Sequence, residues 1–513
     1  MPSQKKEVVP YRALITVCAM LATLMQSLDS TIANVALPYM QGSLSASYDQ
    51  ITWVLTSYIT AAAIMTAPVG WISARFGLKR LFLISMMGFT IASMLCGIAG
   101  SLSEMVVFRL LQGVFGAALV PLSQTTMLNI YPPEKRGSAM AIWGMGVMVG
   151  PILGPTLGGY LTELYNWRWV FFVNLPFGIL ATAGMAAFLP NTDPKAGMKF
   201  DWFGFGVFAM GIAGFQLMLD RGETQDWFGS SEIIIEAVIA ALGLYLFVVH
   251  MMTADKPFIT PAVFKDRNLS AGLLVMFAVG MVLLAVSALL APWLQDLGGY
   301  PVETAGIVMA PRGIGTMAAM MIAGRLSNKV DARLLMAFGI LVLSYSLYRM
   351  TSWTPDVSEA TMVFNTMLQG AGLGFVFIPL QVIAFATLDP ALRTEGTALL
   401  SLLRNMGSAI GISVTGTLVT RNEQIEHSVL TGYLTPLNRA FEGAASALSP
   451  VTAHGAQMLD AIVNHQAEII AYNNDWKLMM LMSLPMLLLL LLMRGPKKGA
   501  DGGPGVEHAA VMD

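Results

Sequence analysis

Long apolar stretches alternate with short polar stretches along almost the whole chain. An apolar window of about 20 residues is long enough for a helix to cross the hydrocarbon core of a bilayer. The sequence contains fourteen such windows, near residues 13–37, 50–72, 81–100, 104–128, 138–161, 169–189, 202–220, 232–252, 270–294, 303–323, 333–350, 361–385, 397–419 and 477–493. The pattern therefore predicts an all-α membrane protein with fourteen transmembrane helices.

The composition agrees with a membrane protein and gives no sign of an enzyme. Of the 513 residues, 55% are hydrophobic and 12% are charged, whereas soluble globular domains carry about 25% charged residues. The five histidines lack the spacing of metal ligands, and the sequence contains no phosphate-binding GxxxxGK[ST] segment. We therefore expect no metal, no other cofactor, no nucleic-acid partner and no catalytic activity.

The basic residues are distributed unequally between the two sides of the predicted membrane. An even number of spans places both termini on one side, and 20 of the 29 lysines and arginines fall in segments on that side. Six fall on the other side, and three lie within spans. Because basic segments stay in the cytoplasm, the asymmetry predicts that both termini are cytoplasmic.

The two halves of the chain contain related sequences. Residues 108–139 match residues 364–398 at a distance of 257 positions, as their shared Leu-Gln-Gly triplets show. GWISARFG (70–77) resembles GRLSNKVD (324–331) at a distance of 254 positions. Span four therefore corresponds to span twelve, and each half is predicted to form a bundle of six helices. Spans seven and eight are left over as a hairpin between the bundles.

This repeat divides the chain into domains. We predict an N-terminal six-helix bundle at 1–195, a linker hairpin at 196–265, a C-terminal six-helix bundle at 266–498 and a disordered cytoplasmic tail at 499–513. The longest connection between spans is a predicted periplasmic loop at 420–476. Within it, apolar residues at helical spacing predict an amphipathic helix that lies on the membrane surface or against a partner.

Span five carries a regular series of glycines. GMGVMVGPILGPTLGGY (144–160) has a glycine at every fourth position with two prolines between them, namely Gly146, Gly150, Pro151, Gly154, Pro155 and Gly158. Glycines at this spacing form a smooth strip along a helix, against which a second helix can pack closely. The strip is either an ordinary close helix contact or a bendable seam that seals one side of a transporter.

Several motifs resemble those of one family. The glycine strip resembles the antiporter motif of proton-driven drug exporters in the major facilitator superfamily. LDSTIANVALP (28–38) resembles the first-span motif of its fourteen-span drug:proton antiporters, and FRLLQG (108–113) resembles the fourth-span motif with its buried arginine. WRWVFFVNLPFG (167–178) resembles a signature of the same subfamily. YPPEKR (131–136) and LDRGETQDWF (219–228) are most similar to the EmrB-type branch.

The resemblance covers nearly the whole chain and implies a fold, a function and partners. The fold is the major facilitator fold, with two six-helix bundles that rock between two access states and a two-helix insert. The function is proton-coupled export of drugs or other lipophilic toxic compounds across a bacterial inner membrane. In the EmrB-type branch, the transporter works with a periplasmic adaptor (an EmrA-like membrane fusion protein) and a TolC-like outer-membrane channel.

One loop departs from the family's pattern. Between spans two and three the family usually has Gly-x-x-x-Asp-Arg-x-Gly, and this chain has Gly70, Ala74, Arg75 and Gly77 at those four positions. We expect Gly70, Arg75 and Gly77 to take part in the conformational change. Without the usual aspartate, the charge contact that locks the outward-facing state is either absent or made by Arg75 with another partner.

Asp29 is one of very few acidic residues within a predicted span. An ionised carboxylate in the bilayer is costly, so such residues are functional by default. In the family's fold, span four lies beside span one, which makes Arg109 in span four the natural partner of Asp29. We predict that Asp29 and Arg109 couple protons to transport, with Asp29 as the proton and cation site. The alternative is a static ion pair that only fixes helix packing.

Each of the other polar residues within spans has two possible roles. Six amide side chains either line a substrate cavity or form hydrogen bonds between helices, namely Gln26, Asn34, Gln112, Gln124, Gln369 and Gln381. Arg312 and Arg404 lie within spans of the second half, and each either caps backbone carbonyls or lines the cavity. A transporter of one substrate, such as a siderophore, an amino acid or a bile salt, is the alternative function, because a fold does not determine a substrate.

Overall fold

The computed structural model describes residues 11–192, 194–195, 197–327, 329–434 and 452–494. All regular secondary structure in these ranges is helical. The predicted tail at 499–513 lies outside the described residues, and so does the middle part (435–451) of the predicted loop.

The first half of the chain and the insert form eight long helical segments, some of which are broken into two pieces. These are α1 (Arg12–Ser43), α2 (Trp53–Thr66 and Val69–Phe76), α3 (Leu78–Ile98), α4 (Leu102–Gly116 and Leu119–Ile130), α5 (Arg136–Leu164), α6 (Trp169–Phe172 and Asn174–Phe188), α7 (Trp202–Arg221) and α8 (Ser231–Thr253).

The second half forms six more, in the same order as the predicted spans. These are α9 (Arg267–Pro292, continued by the π-helical turn Trp293–Leu297), α10 (Val302–Met309 and Pro311–Leu326), α11 (Ala332–Met350), α12 (Glu359–Ala384), α13 (Arg393–Thr431) and α14 (Ala453–Ser483 and Met486–Leu490). Within the described ranges, eleven helices are long and apolar enough to cross a membrane, or twelve when the two pieces of α2 count as one span. The count of fourteen spans stays a prediction.

Helices dominate because the backbone of a membrane span must satisfy its own hydrogen bonds. Several breaks occur where proline removes a backbone donor. The two pieces of α2 are separated by Ala67 and Pro68 and are bent by 58°. Pro311 begins the second piece of α10, and Pro485 separates the two pieces of α14.

The two halves pack their helices in the same pairwise pattern. In the first half, α1 packs on α5 and α6, α4 packs on α2 and α3, and α3 packs on α6. In the second half, α9 packs on α13 and α14, α12 packs on α10 and α11, and α11 packs on α14. Each pair recurs eight helices later, as expected for two copies of a six-helix bundle separated by a two-helix insert.

The two halves are held together toward one end of the molecule. This terminal end is where α1 begins at Arg12 and where Arg494 follows α14. There α5 meets α10 so closely that a Cβ atom on Gly137 would lie 2.7 Å from the carbonyl oxygen of Gly324. Arg393 Nη1 donates to Asn129 Oδ1 at 3.1 Å, which ties α13 to the end of α4. This state of the molecule is therefore closed at the terminal end.

The insert bridges the two halves on one side. α7 packs on both α2 and α13. The hydroxyl of Thr56 in α2 donates to Asp220 at the end of α7. Ser413 Oγ in α13 donates to the carbonyl of Leu219 at 3.0 Å, and Trp227 Nε1 donates to Thr417 Oγ1 at 3.1 Å. The hairpin is thus integrated into the bundle and is not a free linker.

The segment 420–476, predicted as a loop, is helical wherever the structure describes it except for a short turn at each inner end. α13 continues to Thr431, and α14 begins at Ala453. The polar residues of this segment lower its hydropathy but do not prevent a helix, because the two extensions pack on each other. Leu459 and Val463 are buried in that contact, whereas Met458 and Ile462 of the predicted amphipathic helix are 43% and 48% exposed.

Candidate functional site

Asp29 of α1 lies at the centre of a fully buried polar cluster. Its Oδ2 atom is 2.7 Å from Nη1 of Arg109 in α4, and both side chains are completely buried. Its Oδ1 atom accepts hydrogen bonds from Gln112 Nε2 at 2.8 Å and from Asn174 Nδ2 at 3.2 Å. The structure thus brings together the two charged residues that the sequence paired, and it satisfies both carboxylate oxygens.

Arg109 is held in place on its other side as well. Its Nε atom donates to the carbonyl of Val54 in α2 at 3.0 Å, and Nη1 also donates to Gln112 Oε1 at 2.8 Å. Its guanidinium carbon lies 4.2 Å from the centre of the Tyr58 ring, within the range of a cation–π contact. The positive charge therefore has partners on three sides, which offsets part of the cost of its burial.

Asn174 and Ser93 extend the cluster to α6 and α3. Asn174 Nδ2 also donates to Ser93 Oγ at 3.0 Å, and Ser93 Oγ donates to the carbonyl of Phe171 at 2.9 Å. Asn174 was not predicted as a partner of Asp29, although it is the one amide in the apolar run VFFVNLPFG. Residues of five helices therefore form one buried hydrogen-bonded cluster around Asp29 and Arg109.

The six predicted amide residues fall into different environments. Gln112 belongs to the Asp29 cluster, with both ends of its amide group engaged. Gln369, its repeat counterpart, is buried in α12, where Nε2 lies 3.8 Å from Met350 Sδ. Gln26 donates to the hydroxyl of Tyr58 at 3.3 Å, and Asn34, eight residues further along α1, is exposed.

The remaining two amides meet between the halves. Gln124 Nε2 of α4 donates to Gln381 Oε1 of α12. Beside this pair is a small cleft that contains Trp143 of α5 together with Ser401 and Arg404 of α13. Gln124 and Gln381 therefore line a cleft at the interface, whereas Gln112 and Gln369 do not contribute to it.

Comparison with known proteins identifies the group to which this helical arrangement belongs. A family model described as Major Facilitator Superfamily matches residues 19–412. The chain belongs to that superfamily. It is 35% identical over 500 residues to the multidrug export protein EmrB of Escherichia coli strain K12, covering 96% of this chain and 98% of that protein. It is therefore an EmrB-like member.

Two further comparisons agree with this family assignment and with the fold. The fatty acid resistance protein FarB of Neisseria gonorrhoeae is 34% identical over 495 residues, which cover 96% of this chain and 98% of that protein. The crystal structure of the human organic anion transporter MFSD10 (TETRAN) has the same fold. Its TM-score is 0.58 at 13% identity, covering 92% of this chain and 100% of that one. The prediction of a major facilitator fold is thus confirmed.

The glycine strip of this superfamily member packs against α1. A Cβ atom on Gly150 would lie 2.5 Å from the carbonyl carbon of Ser27, and one on Gly154 would collide with the Thr31 hydroxyl. Ser27 Oγ donates to the carbonyl of Val147 at 2.7 Å, which fastens the two helices together. Gly146 and Gly158 also face α1, and the side chains of Pro151 and Pro155 lie outside the described structure.

The strip has a counterpart in the second half. Gly407 and Gly411, 257 positions after Gly150 and Gly154, pack closely on Phe277 and Met281 of α9. The close helix contact is therefore a feature of both repeats. In the first half this contact positions the helix that carries Asp29. A role of the strip in sealing the transporter stays a prediction.

The motif at 70–77 lies at the terminal end, where Gly70 and Arg75 belong to the second piece of α2 and Gly77 alone separates α2 from α3. A Cβ atom on Gly70 would lie 2.8 Å from the Cα atom of Glu395, at the start of α13. Gly77 has a positive φ of 90° and lies close to the carbonyl of Thr192, so its position requires glycine. Arg75 forms no ion pair with any residue that the structure describes. The role predicted for Arg75 in the conformational change stays a prediction.

Two further charged residues are buried in the second half, namely Arg312, for which two roles were predicted, and Asp475, which was not predicted. Arg312 of α10 donates to Ser287 Oγ at 2.5 Å and to the carbonyl of Leu283 at 2.8 Å, so it links α10 to α9 and does not line the cleft.

Asp475 of α14 was missed because it precedes the predicted span by two residues. It is 1% exposed, and neither carboxylate oxygen has a hydrogen-bond partner among the described residues. Seven residues earlier, in the extension of α14, burial and the carboxylates of Glu423 and Asp296 raise the pKa of Glu468.

Proposed function

We propose that this protein is a proton-coupled antiporter that exports drugs and other lipophilic toxic compounds by alternating access. The observation that carries the proposal is the buried Asp29–Arg109 pair, because a titratable pair sealed within a membrane bundle is a means of binding a proton in one state only. The full-length similarity to multidrug export protein EmrB supports the direction of transport and the substrate class. A transporter of one substrate is less well supported: FarB is named for fatty acid resistance, but EmrB is named for multidrug export, and neither is named for a siderophore, an amino acid or a bile salt.

The packing supplies a route from proton binding to the movement of the halves. Protonation of Asp29 neutralises the anion that Arg109 contacts at 2.7 Å and weakens the cluster that joins α1 to α4 and α6. The opposite face of α1 packs on α5 through Gly150 and Gly154. Because α5 in turn packs on α10 and α12 of the second half, a shift of α1 is passed to the interface between the halves.

The cation role predicted for Asp29 needs a different state of the protein. The carboxylate is 0% exposed and its oxygens are occupied by Arg109, Gln112 and Asn174. A cationic drug can contact it only after the cluster opens. We therefore propose that Asp29 binds a proton and that the substrate binds at the interface between the halves.

The proposed setting is the bacterial inner membrane, with both termini in the cytoplasm. In this orientation the terminal end is cytoplasmic and the described state is closed toward the cytoplasm. The extensions of α13 and α14 then project into the periplasm, and their exposed Met458 and Ile462 suit contact with an EmrA-like adaptor that leads to a TolC-like channel.

The test uses the purified full-length protein in proteoliposomes with an imposed pH gradient. Export of a lipophilic fluorescent dye and the internal pH are followed together for wild type and Asp29→Asn. We expect both fluxes to disappear in Asp29→Asn while Glu236→Gln, which alters another buried carboxyl group outside the cluster, retains them. Normal coupled transport by Asp29→Asn would assign Asp29 a structural role. Absence of gradient-driven export by wild type would overturn the proposed function.

A further inference from the structure

Arg404 differs from the other arginines buried within the helices. Arg109 contacts Asp29, and Arg312 donates to Ser287 and Leu283. The half-buried side chain of Arg404 forms neither an ion pair nor a hydrogen bond with any residue in the part of the chain that the structure describes. An unpaired cation among membrane-spanning helices is costly to maintain and therefore indicates a function.

The position of Arg404 indicates what that function is. Its side chain lines the small cleft between the two halves, beside the hydrogen-bonded pair of Gln124 and Gln381. Ser401 adds a hydroxyl on the same helix, one turn away. Apolar side chains from both halves complete the cleft, namely Val120, Trp143, Met276 and Leu400. The cleft thus combines one positive charge and a few polar groups with an apolar wall.

The backbone beneath Arg404 is fixed. Its carbonyl accepts a hydrogen bond from Ser408 Oγ at 2.9 Å, and the same hydroxyl is 3.1 Å from the carbonyl of Gly280 in α9. Gly280 contacts the Arg404 carbonyl so closely that a larger residue would collide with it. The counterpart of Arg404 in the first half (404 − 257 = 147) is the buried, apolar Val147. The positive charge in the cleft therefore comes from the second half alone, and the backbone that carries it is fixed by these contacts.

We propose that Arg404 forms the subsite for the anionic group of a lipophilic substrate. The cleft holds only about 10 Å³ in this state, so the substrate enters when the halves separate and widen it. A carboxylate or a similar acidic group would take charge-assisted hydrogen bonds from the guanidinium group, and the apolar body of the substrate would contact Trp143 and Met276. A cationic compound would meet an unpaired positive charge in surroundings that screen it poorly. The inference rests on the proposed function and adds the charge that the transporter prefers.

The test compares two probes that differ only in charge. Binding of 11-(dansylamino)undecanoate and of its methyl ester to the full-length protein in nanodiscs is measured by dansyl emission at pH 8.5. We expect wild type to bind the acid about tenfold more tightly than the ester, since hydrogen bonds to charged groups are the strong ones. Arg404→Gln removes this preference, Arg404→Lys keeps part of it, and Arg421→Gln, on the exposed extension of the same helix, leaves it unchanged. Equal binding of acid and ester by wild type, or an undiminished preference in Arg404→Gln, would overturn the proposal.

A second measurement covers the case in which the arginine variants do not fold. Ser401→Cys lies in the same cleft and leaves Arg404 in place. In a background in which Cys18 and Cys96 are replaced by alanine, we expect the acid to protect this cysteine from a maleimide reagent and the ester to protect it weakly. Equal protection by both probes would count against the subsite. Gradient-driven export of the lipophilic dye by wild type is assayed in parallel. Export of the dye without a preference for the acid defeats only the subsite, and a preference for the acid without export of the dye defeats only the proposed function.

Discussion

Gln124 and Gln381 are 257 positions apart, which is the repeat distance of the chain, and their side chains form a hydrogen bond to each other. Residues at equivalent positions of two repeats can contact each other only close to the axis that relates the repeats. The pair therefore lies at the pseudo-two-fold axis between the halves. Since this hydrogen bond joins α4 to α12, it has to break whenever the two halves separate at the position of Gln124 and Gln381.

We expect a covalent link at this pair to stop transport. Gln124→Cys with Gln381→Cys, in a background in which Cys18 and Cys96 are replaced by alanine, should react with a short bifunctional methanethiosulfonate reagent. The link holds the halves in the closed arrangement, so dye efflux from proteoliposomes should fall to the background rate and recover after reduction. Each single cysteine variant is the control. Undiminished efflux by the cross-linked protein would show that the halves do not part here.

The Asp29–Arg109 pair should contribute strongly to stability. Removing one partner of a buried ion pair leaves an uncompensated charge and typically destabilises a protein by about 3–5 kcal/mol. Arg109→Ala should therefore lower the free energy of unfolding, measured by denaturant titration in mixed micelles, by about this amount. The double variant Asp29→Asn with Arg109→Gln should be less destabilised, because it leaves no lone charge. Equal losses in the single and double variants would show that packing determines the effect.

The glycine strip should tolerate a methyl group at one position and not at another. Gly154→Ala places its Cβ atom against the Thr31 hydroxyl, whereas a Cβ atom on Gly146 would lie 3.4 Å from Met20, an ordinary contact. Overpacking costs about 1–3 kcal/mol, so Gly154→Ala should lower the thermal unfolding temperature and the rate of dye efflux. Gly146→Ala should resemble wild type in both measurements. Identical behaviour of the two variants would mean that α1 and α5 are loosely packed.

Asp475 should be more stable as a neutral side chain. Its carboxylate oxygens are buried without a partner among the described residues, and burial of an unpaired charge is unfavourable. We expect Asp475→Asn to leave the unfolding temperature at neutral pH unchanged or to raise it, in contrast to Asp29→Asn, which leaves Arg109 without its anion. A clear fall in the unfolding temperature of Asp475→Asn would indicate that the carboxylate has a favourable partner.

The sequence predicted the helical fold well because its main signals are periodic and physically simple. Apolar runs fit a bilayer, and the repeat distance of 257 positions pairs the helices correctly, as the contact between Gln124 and Gln381 illustrates. The segment 420–476 was predicted to be a loop that contains an amphipathic helix, and the helices α13 and α14 extend further into it than was predicted. Hydropathy measures the preference of side chains for lipid, whereas the helices there are stabilised by the packing of α13 on α14, which involves residues far apart in sequence.

The sequence predicted only the charged residues of the candidate site, because charged residues are rare within the spans. Asp29 and Arg109 are conspicuous for that reason, and the structure brings them into contact. Amides carry no such signal, so Asn174 was missed and Gln112 could not be separated from Gln124. The difference between Arg312 and Arg404 depends on whether a serine and a carbonyl of α9 lie within reach. Only the three-dimensional arrangement contains that information.

The length of α13 has a mechanical consequence. Its 39 residues make a rod of about 58 Å at about 1.5 Å per residue, nearly twice the roughly 30 Å hydrocarbon thickness of a bilayer. The rod is anchored in the second half by α9 and braced along its outer part by α14. A small rotation of that half about the interface therefore displaces the far tip of α13 further than the residues near the interface. A molecule bound to this tip would be displaced in each transport cycle.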